Sequence, residues 1–496
     1  MQSEPTADPA RDPQARALQD YIDETPQWRD GTKLPAAPLT PMQWRIWWLA
    51  AAGKFFEGLV VFMTGVAMPL MSVEFGMTGV QHGIVGAASL FGILVGALAL
   101  GHLADQFGRK FMFIVEMAIF VVFLVLLSVS PGFWWMVVFL FGVGVALGCD
   151  YPTAHLVISE SIPSIARGRL VLGAFAFQAI GALSGTAVGY VVLTNVEGMG
   201  AWRWMYAVTI VPALLVVVGR LFVTESPHWL AIHGRTQDAQ REAQRLLDRD
   251  PPYPKIIRLR EPGRPHHAQA RSLRMLFRPD HLRATILASV PWFLQDLGTY
   301  GIGIFTPTIL ADALGHATTY SHDLTDVIAR DVMAVEGAGL VDLLLIAGIA
   351  AAVMLADRTG RIALQVFGFV GCAAGLLLAS LSLDYAGTTQ TLLLFAGFML
   401  FNFMTNLGPN AQTYLIAGEV FPTHIRGLGA GFAAAFGKVG AVITAFLFPI
   451  LLQDIGTQPL LYVLVGTSLM GAVVTWIFRI ETSGMNLEKV GQAESH

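Results

Sequence analysis

Polar residues in this chain gather into short clusters that separate apolar runs of roughly 20 residues, the length of α-helix that crosses about 30 Å of hydrocarbon. The runs fall at 46–70, 83–103, 111–129, 135–158, 171–193 and 203–223, and, after a polar stretch, at 283–310, 335–356, 361–382, 389–411, 427–453 and 459–480. Because the runs are continuous and lack period-two alternation, a closed β-barrel is excluded, and only helices satisfy their backbone in lipid. The pattern therefore predicts an all-α membrane protein with twelve transmembrane helices in two six-helix bundles. The boundaries expected are an N-terminal tail over 1–42, a first bundle over 43–223, a central loop over 224–282, a second bundle over 283–480 and a C-terminal tail over 481–496.

Composition carries the same message. Hydrophobic residues make up 54% of the chain and charged residues 13%, about half the usual share of a soluble domain. Cys149 and Cys372 both lie inside apolar runs, which supports neither a disulfide framework nor a metal cluster. No basic patch with interleaved aromatics points to nucleic acid. The first forty residues lack the cationic start and short apolar core of a cleaved signal and read as a cytoplasmic tail. No Gly-x4-Gly-Lys-Ser/Thr loop supports ATP-driven chemistry, and the glycines of 142–148 lie in a membrane helix with no strand before them. With no nucleophile and base or metal-ligand set at a plausible spacing, an enzyme is not expected, nor is a cofactor.

Lys and Arg near helix ends mark cytoplasmic loops. Arg109, Lys110, Arg167, Arg169, Arg358, Arg361, Arg426 and the basic segment around 235–283 fall in one set of alternate loops, while the loops near Glu74, Pro131 and Tyr385 are nearly free of them. Both termini and the central loop are thus expected in the cytoplasm of a multi-pass cell-membrane protein, a monomer.

Internal repetition divides the chain independently of hydropathy. Ala-Asp-Gln-Phe-Gly-Arg at 104–109 recurs as Ala-Asp-Arg-Thr-Gly-Arg at 356–361, and Glu160, Pro163, Arg167 and Gly168 recur with the same spacing as Glu419, Pro422, Arg426 and Gly427. Parallel six-helix repeats suit a transporter that rocks one half against the other around a midplane site. On this reading Asp105, Arg109, Glu160 and Arg167, with Asp357, Arg361, Glu419 and Arg426, form a cytoplasmic gate of breakable ion pairs that closes the outward-facing state. Topology signalling alone explains the arginines but not the repeated acids.

Charges within spans are costly and mark function by default. Those noted are Lys54, Glu57, Glu116, Asp150, Asp296, Asp342 and Lys438. Glu116 and Asp342 read as snorkelling or structurally paired residues, and Lys54 with Glu57 fits an i,i+3 pair. Asp150, Asp296 and Lys438 lie near mid-span: the acids suit proton carriage and the lysine an anion. Trp292, Asp296 and Tyr300 are spaced i, i+4, i+8 and share one helix face. Gln178 and Asn410 need a partner in apolar helices, either a ligand or a neighbouring helix.

The stretch Gly-His-Leu-Ala-Asp-Gln-Phe-Gly-Arg-Lys at 101–110 resembles the loop signature of the major facilitator superfamily. Glu-Ser-Pro-His-Trp-Leu at 225–230, Glu-Val-Phe-Pro-Thr-His-Ile-Arg-Gly at 419–427 and Glu-Thr-Ser-Gly at 481–484 resemble its sugar porters and their neighbours. Gly-Cys-Asp-Tyr-Pro at 148–152, Trp-Phe-Leu-Gln-Asp at 292–296 with Tyr300, Gly-Pro-Asn at 408–410 and Gly-Lys-Val-Gly-Ala at 437–441 look most like the proton-coupled phosphate symporter branch. That resemblance implies an anion site lined by Tyr151, Gln178, Trp292, Asp296, Tyr300, Asn410 and Lys438, with proton coupling by Glu57, Asp150 and Asp296. The first helix departs from the branch pattern, since Val60 stands where a second acid is expected.

The expected function is secondary active symport of a small anion, inorganic phosphate first, with protons. An interior-negative potential opposes anion entry by about 2.3 kcal/mol per charge per 100 mV, a penalty that co-transported protons remove. The alternatives are a proton-coupled carrier of a sugar, polyol or aromatic or other organic acid, and, more distantly, a membrane sensor that binds ligand without transporting it.

Overall fold

A computed structural model of the chain describes residues 16–26, 37–100, 103–196, 198–249, 253–254, 256–259, 273–314, 324–422 and 425–482. Within its helices the side chains of Asp105, Tyr151 and Asp357 lie outside the described residues.

Among the described residues, twelve long helices carry the fold. In the first half they are α1 (Pro41–Phe75), α2 (Gly79–Leu100), α3 (Arg109–Ser128), α4 (Phe133–Ser161), α5 (Ser164–Asn195) and α6 (Ala201–Leu221). In the second half they are α7 (Pro279–Leu314), α8 (Leu324–Thr359), α9 (Arg361–Ser382), α10 (Gly387–Glu419), α11 (Arg426–Ile455) and α12 (Thr457–Ile477). Among the described residues, eleven are long and apolar enough to cross a membrane by length and composition. The twelfth, α7, has 36 residues, but Asp280, Arg283, Gln295 and Asp296 dilute its apolar character. Several helices outrun their apolar runs because polar first and last turns project past the hydrocarbon. Helix α1 begins at Pro41, where Thr40 accepts from the Gln43 amide in a capping box, and stops at Gly76 in the left-handed conformation that only glycine adopts cheaply. Two spans are broken: α5 at Ala176, and α10 at Gly408, where Pro409 has no amide hydrogen to continue the ladder.

The same pairings hold both halves together. In the first, α1 packs on α5, α2 on α4, and α3 on α4 and α6; in the second, α7 packs on α11, α8 on α10, and α9 on α10 and α12. The halves meet along α1–α7, α2–α11 and α5–α8. Small residues permit the approach: a Cβ at Gly65 of α1 would fall on the Ile304 carbonyl of α7, and one at Gly83 of α2 on that of Phe446 in α11. The outer surface is apolar, with Leu98, Leu215 and Met354 each more than 60% exposed, while Lys54, Glu57, Asp150, Arg220, Asp296 and Lys438 are buried. This inversion of the soluble pattern is what a hydrocarbon surround requires.

The end that carries the termini is more ordered than a tail and loop suggest. A short helix, Leu18–Ile22, buries Leu18, Tyr21 and Ile22 against Ala239, Ala243 and Leu246 of the central-loop helix Thr236–Leu246. Tyr21 exchanges hydrogen bonds with the Arg258 backbone, Arg249 donates to the Ile22 carbonyl at 3.2 Å, and Thr40 donates to that of Leu246 at 2.7 Å. The Asp23 carboxylate accepts from the Ser164 amide at 2.7 Å and its hydroxyl at 2.8 Å, capping the first turn of α5.

Candidate functional site

Three helices bring charged residues, and a fourth an amide, to one buried point between the halves. On α1, Lys54 and Glu57 stand one turn apart and pair at 2.9 Å. Helix α5 lies against this stretch because Gly58 leaves room for the Gln178 carbonyl and Gly181 for that of Phe55, which sets the Gln178 amide over Glu57 at 3.3 Å. On α7, Asp296 and Tyr300 share the inward face. Helix α11 approaches α7 through Gly437, against Trp292, and Gly440, against the Phe293 carbonyl, so Lys438 between them projects at the same point.

Glu57 Oε1 lies 3.3 Å from Lys438 Nζ and accepts from Tyr300 Oη at 3.2 Å, while Oε2 takes Lys54. Gln178 also donates to Tyr300 Oη at 3.2 Å, and Lys438 Nζ both hydrogen-bonds that oxygen and sits over the Tyr300 ring. Asp296 Oδ2 is 3.8 Å from Lys438, beyond hydrogen-bond distance, and has no hydrogen-bond partner among the described residues. Lys54, Glu57, Asp296 and Lys438 are each at most 5% exposed. Two cations and two carboxylates balance formally, which is how four charges persist away from bulk solvent. One carboxylate is thus gripped by two lysines, a phenol and an amide drawn from both halves.

A second buried network adjoins the first. Asp150 does not stand alone at mid-span: Arg220 of α6 donates to its Oδ1 at 2.7 Å and to Glu116 Oε1 at 2.8 Å. The same guanidinium donates to the carbonyls of Phe113 and Leu49 and lies over the Phe113 ring. Arg220 is fully buried. Its sequence signal is weak, because an arginine three residues from the end of an apolar run looks like a snorkelling helix end; folding α6 against α3 turns it inward. Glu116 is structurally paired, as expected.

Of the other expected site residues, Trp292 packs edge-on against Tyr414, with ring centroids 6.2 Å apart. Tyr414 of α10 in turn stacks on Phe175 of α5 at 4.7 Å, which makes an aromatic layer between the halves on the terminus-bearing side of the charged cluster. Tyr414 and Phe175 carried no sequence signal beyond aromatic character. Asn410 donates to Asn406 at 2.7 Å and, among the described residues, makes no hydrogen bond to the cluster. Asp342 does not snorkel: it is 4% exposed at the α5–α8 seam.

The expected gate residues sort by half. Arg109 pairs with Glu160 at 3.2 Å and Arg361 with Glu419 at 3.3 Å, each within its own bundle. Neither pair crosses between the halves, so in this conformation they fasten each bundle rather than latch one to the other. Arg426 donates to the Phe421 carbonyl, and Arg167 lies near His228 and Asp23. Burial, aided by Arg167 and Arg109 and opposed by Glu160, lowers the His228 pKa and favours the neutral ring. The repetition runs deeper than the sequence motif. Ser226 donates to Glu160 at 2.5 Å and Thr482 to Glu419 at 2.6 Å, while Glu225 accepts from the Lys110 amide and Glu481 from those of Arg361 and Ile362. In both halves the carboxylate that follows the sixth helix caps the third.

The profile of the family described as Sugar (and other) transporter matches residues 47–493. The inner membrane metabolite transport protein YgcS of Escherichia coli is 29% identical to this chain, with 92% of this chain and 97% of that protein aligned. A candidate inorganic phosphate transporter of Schizosaccharomyces pombe is 27% identical over 92% of this chain and 89% of its own length. The niacin transporter NiaP of Acinetobacter baylyi is 25% identical over 93% and 99%. Among solved structures, the proton:xylose symporter XylE superposes with a TM-score of 0.72 at 17% identity, covering 91% of this chain and 99% of that one, a likeness of fold.

Proposed function

The chain belongs to the sugar (and other) transporter family within the major facilitator superfamily, and from that premise we propose that it carries a small anion, inorganic phosphate first, together with protons by alternating access. The observation that supports this most is the grip on Glu57. Lys54, Lys438, Tyr300 and Gln178 form a buried cradle for one anionic group, and the protein's own carboxylate occupies it. A phosphate oxyanion offers the same acceptors in larger number. When Glu57 takes a proton, its hold on the two lysines weakens and the incoming anion replaces it, so proton and anion load together. Asp296, with an unsatisfied oxygen beside Lys438, receives a further proton without losing a hydrogen bond. Asp150 and Glu116 share one guanidinium, which leaves an excess negative charge that a single proton cancels.

The shared lining from α1 and α5 on one side and α7 and α11 on the other means that loading acts on the contact between the halves. The terminus-bearing end is taken as cytoplasmic, from the Lys and Arg bias of its loops. The names of relatives support a second reading, an organic acid or a sugar: NiaP is a niacin transporter, and GlcP of Staphylococcus epidermidis, 24% identical over 89% of this chain and 95% of its own length, is a glucose transporter. The test is uptake of radiolabelled phosphate into proteoliposomes holding the purified chain, with and without an inward proton gradient. Gradient-driven accumulation is expected. No accumulation of phosphate, in vesicles that concentrate nicotinate or glucose, overturns the phosphate assignment.

A further inference from the structure

We infer that Asp342 is a further proton site, apart from the Glu57 cradle and the Arg220 network, which holds its proton while the α5–α8 seam is closed and gives it up when the seam opens. The described residues contain five buried carboxylates: Glu57, Glu116, Asp150, Asp296 and Asp342. The first four each lie within 4 Å of a lysine or arginine nitrogen. Asp342 has only neutral partners: Thr186 of α5, from the opposite half, at 2.9 Å from Oδ2, and Asn402 of α10 at 3.4 Å from Oδ1. An ionised carboxylate shut away with two neutral donors and no cation is costly, whereas a protonated one is satisfied there. With its proton, Oδ2 donates to Thr186 Oγ1, which passes its own hydrogen to the Ala182 carbonyl 3.2 Å away, and Asn402 divides its amide hydrogens between Asp342 and the Val341 carbonyl.

The structure also supplies a route. A crevice of about 360 Å³ lies along the same seam, lined by Thr186, Tyr190, Glu336 and Gly339 among others. Thr186 is thus both its wall and the hydrogen-bond partner of Asp342. Glu336 precedes Asp342 by six residues on α8, about 9 Å along the axis, so the crevice lies toward the end opposite the termini. Among the described residues, Tyr190 and Glu336 are the titratable groups that line this crevice, and no charged side chain of α1, α5, α7, α8 or α10 pairs with Asp342. Parting the halves at this seam withdraws Thr186 and exposes Asp342 to water, where ionisation is cheap. By linkage, a site that binds protons only when closed drives closure when protons are abundant. Asp342 thereby ties the conformational cycle to the proton supply on the crevice side.

The inference rests on alternating access as proposed above but on no particular substrate. The test uses the full chain in liposomes. Infrared difference spectra between wild type and Asp342→Asn are expected to show a protonated-carboxyl carbonyl band at neutral pH that the variant lacks. Spin labels at Val191→Cys on α5 and Leu340→Cys on α8, both exposed positions in a chain whose native cysteines are buried, are expected to move apart as pH rises, and to stay together at all pH in Asp342→Asn. No band difference, or a label distance whose pH response is the same with and without Asp342→Asn, overturns the inference. If Asp342→Asn does not fold, Thr186→Val serves instead: the closed protonated state loses its acceptor, so opening is expected at lower pH, and an unshifted midpoint overturns the inference. Neither readout involves substrate, so failure to accumulate phosphate sinks only the substrate reading.

Discussion

Replacing Arg220 with methionine tests whether the Glu116–Arg220–Asp150 network is a stabilising element of the first bundle. The guanidinium makes hydrogen bonds of 2.5 and 3.1 Å to the carbonyls of Phe113 and Leu49 and ion pairs of 2.8 and 2.7 Å to two carboxylates, from a side chain with no exposure. The carbonyls lie in helices and keep their backbone partners, so the cost falls on the stranded acids. Removing one partner of a buried pair typically costs about 3–5 kcal/mol, or roughly two to four orders of magnitude in the folding equilibrium. The assay is denaturant unfolding of the full chain in mixed micelles, followed through its 11 tryptophans. Stranded carboxylates are relieved by protons, so the deficit of Arg220→Met is expected to shrink as pH falls. Adding Glu116→Gln and Asp150→Asn to Arg220→Met is expected to restore most of the loss, because neutral groups of the same shape carry no buried charge. Full stability in the single variant, or a triple variant no better than the single, refutes the reasoning.

Three other substitutions probe the neighbouring parts. Asp296→Asn is expected to leave the protein folded and able to exchange substrate across the bilayer while abolishing gradient-driven accumulation; unchanged pH-dependent accumulation removes Asp296 from the proton path. Gly53→Ala puts a methyl group where the Asp150 carboxylate lies, and should cost about 1–3 kcal/mol as overpacking, with less cost when Asp150→Ala empties the space, as a double-mutant cycle measures. Asp23→Ala removes the cap on α5 and should cost about 1 kcal/mol, read as faster amide hydrogen exchange at Ser164 and its neighbours with little change elsewhere.

The candidate site was legible where charge is expensive. Lys54, Glu57, Asp296 and Lys438 are conspicuous in apolar runs, and the i, i+4 spacing from Trp292 through Asp296 to Tyr300 places them on one face whatever the tertiary fold. The doubled loops were legible as repeated acids and arginines, but that Arg109 meets Glu160 and Arg361 meets Glu419, each within its own bundle, came only from the structure. What escaped were residues whose meaning depends on a neighbour distant in sequence. Arg220 looks like an ordinary helix end until α6 is laid against α3. Tyr414 is one aromatic among many until the break at Gly408 turns it toward Phe175. Asp342 reads as a helix-end acid until α5 closes over it with Thr186.

Hydropathy and repetition alone determined the number of spans, their grouping into two related bundles and the class of protein, because a helix in lipid must be long, apolar and internally hydrogen-bonded wherever its neighbours lie. Partnership was decided only by the tertiary structure. Whether a buried carboxylate meets a lysine, an arginine or a threonine depends on which helix crosses it and at what height, and glycines such as Gly58, Gly181 and Gly437 set those crossings by letting backbones touch. The energetics of each buried charge follow from that partner, and with them the division of labour among Glu57, Asp150, Asp296 and Asp342.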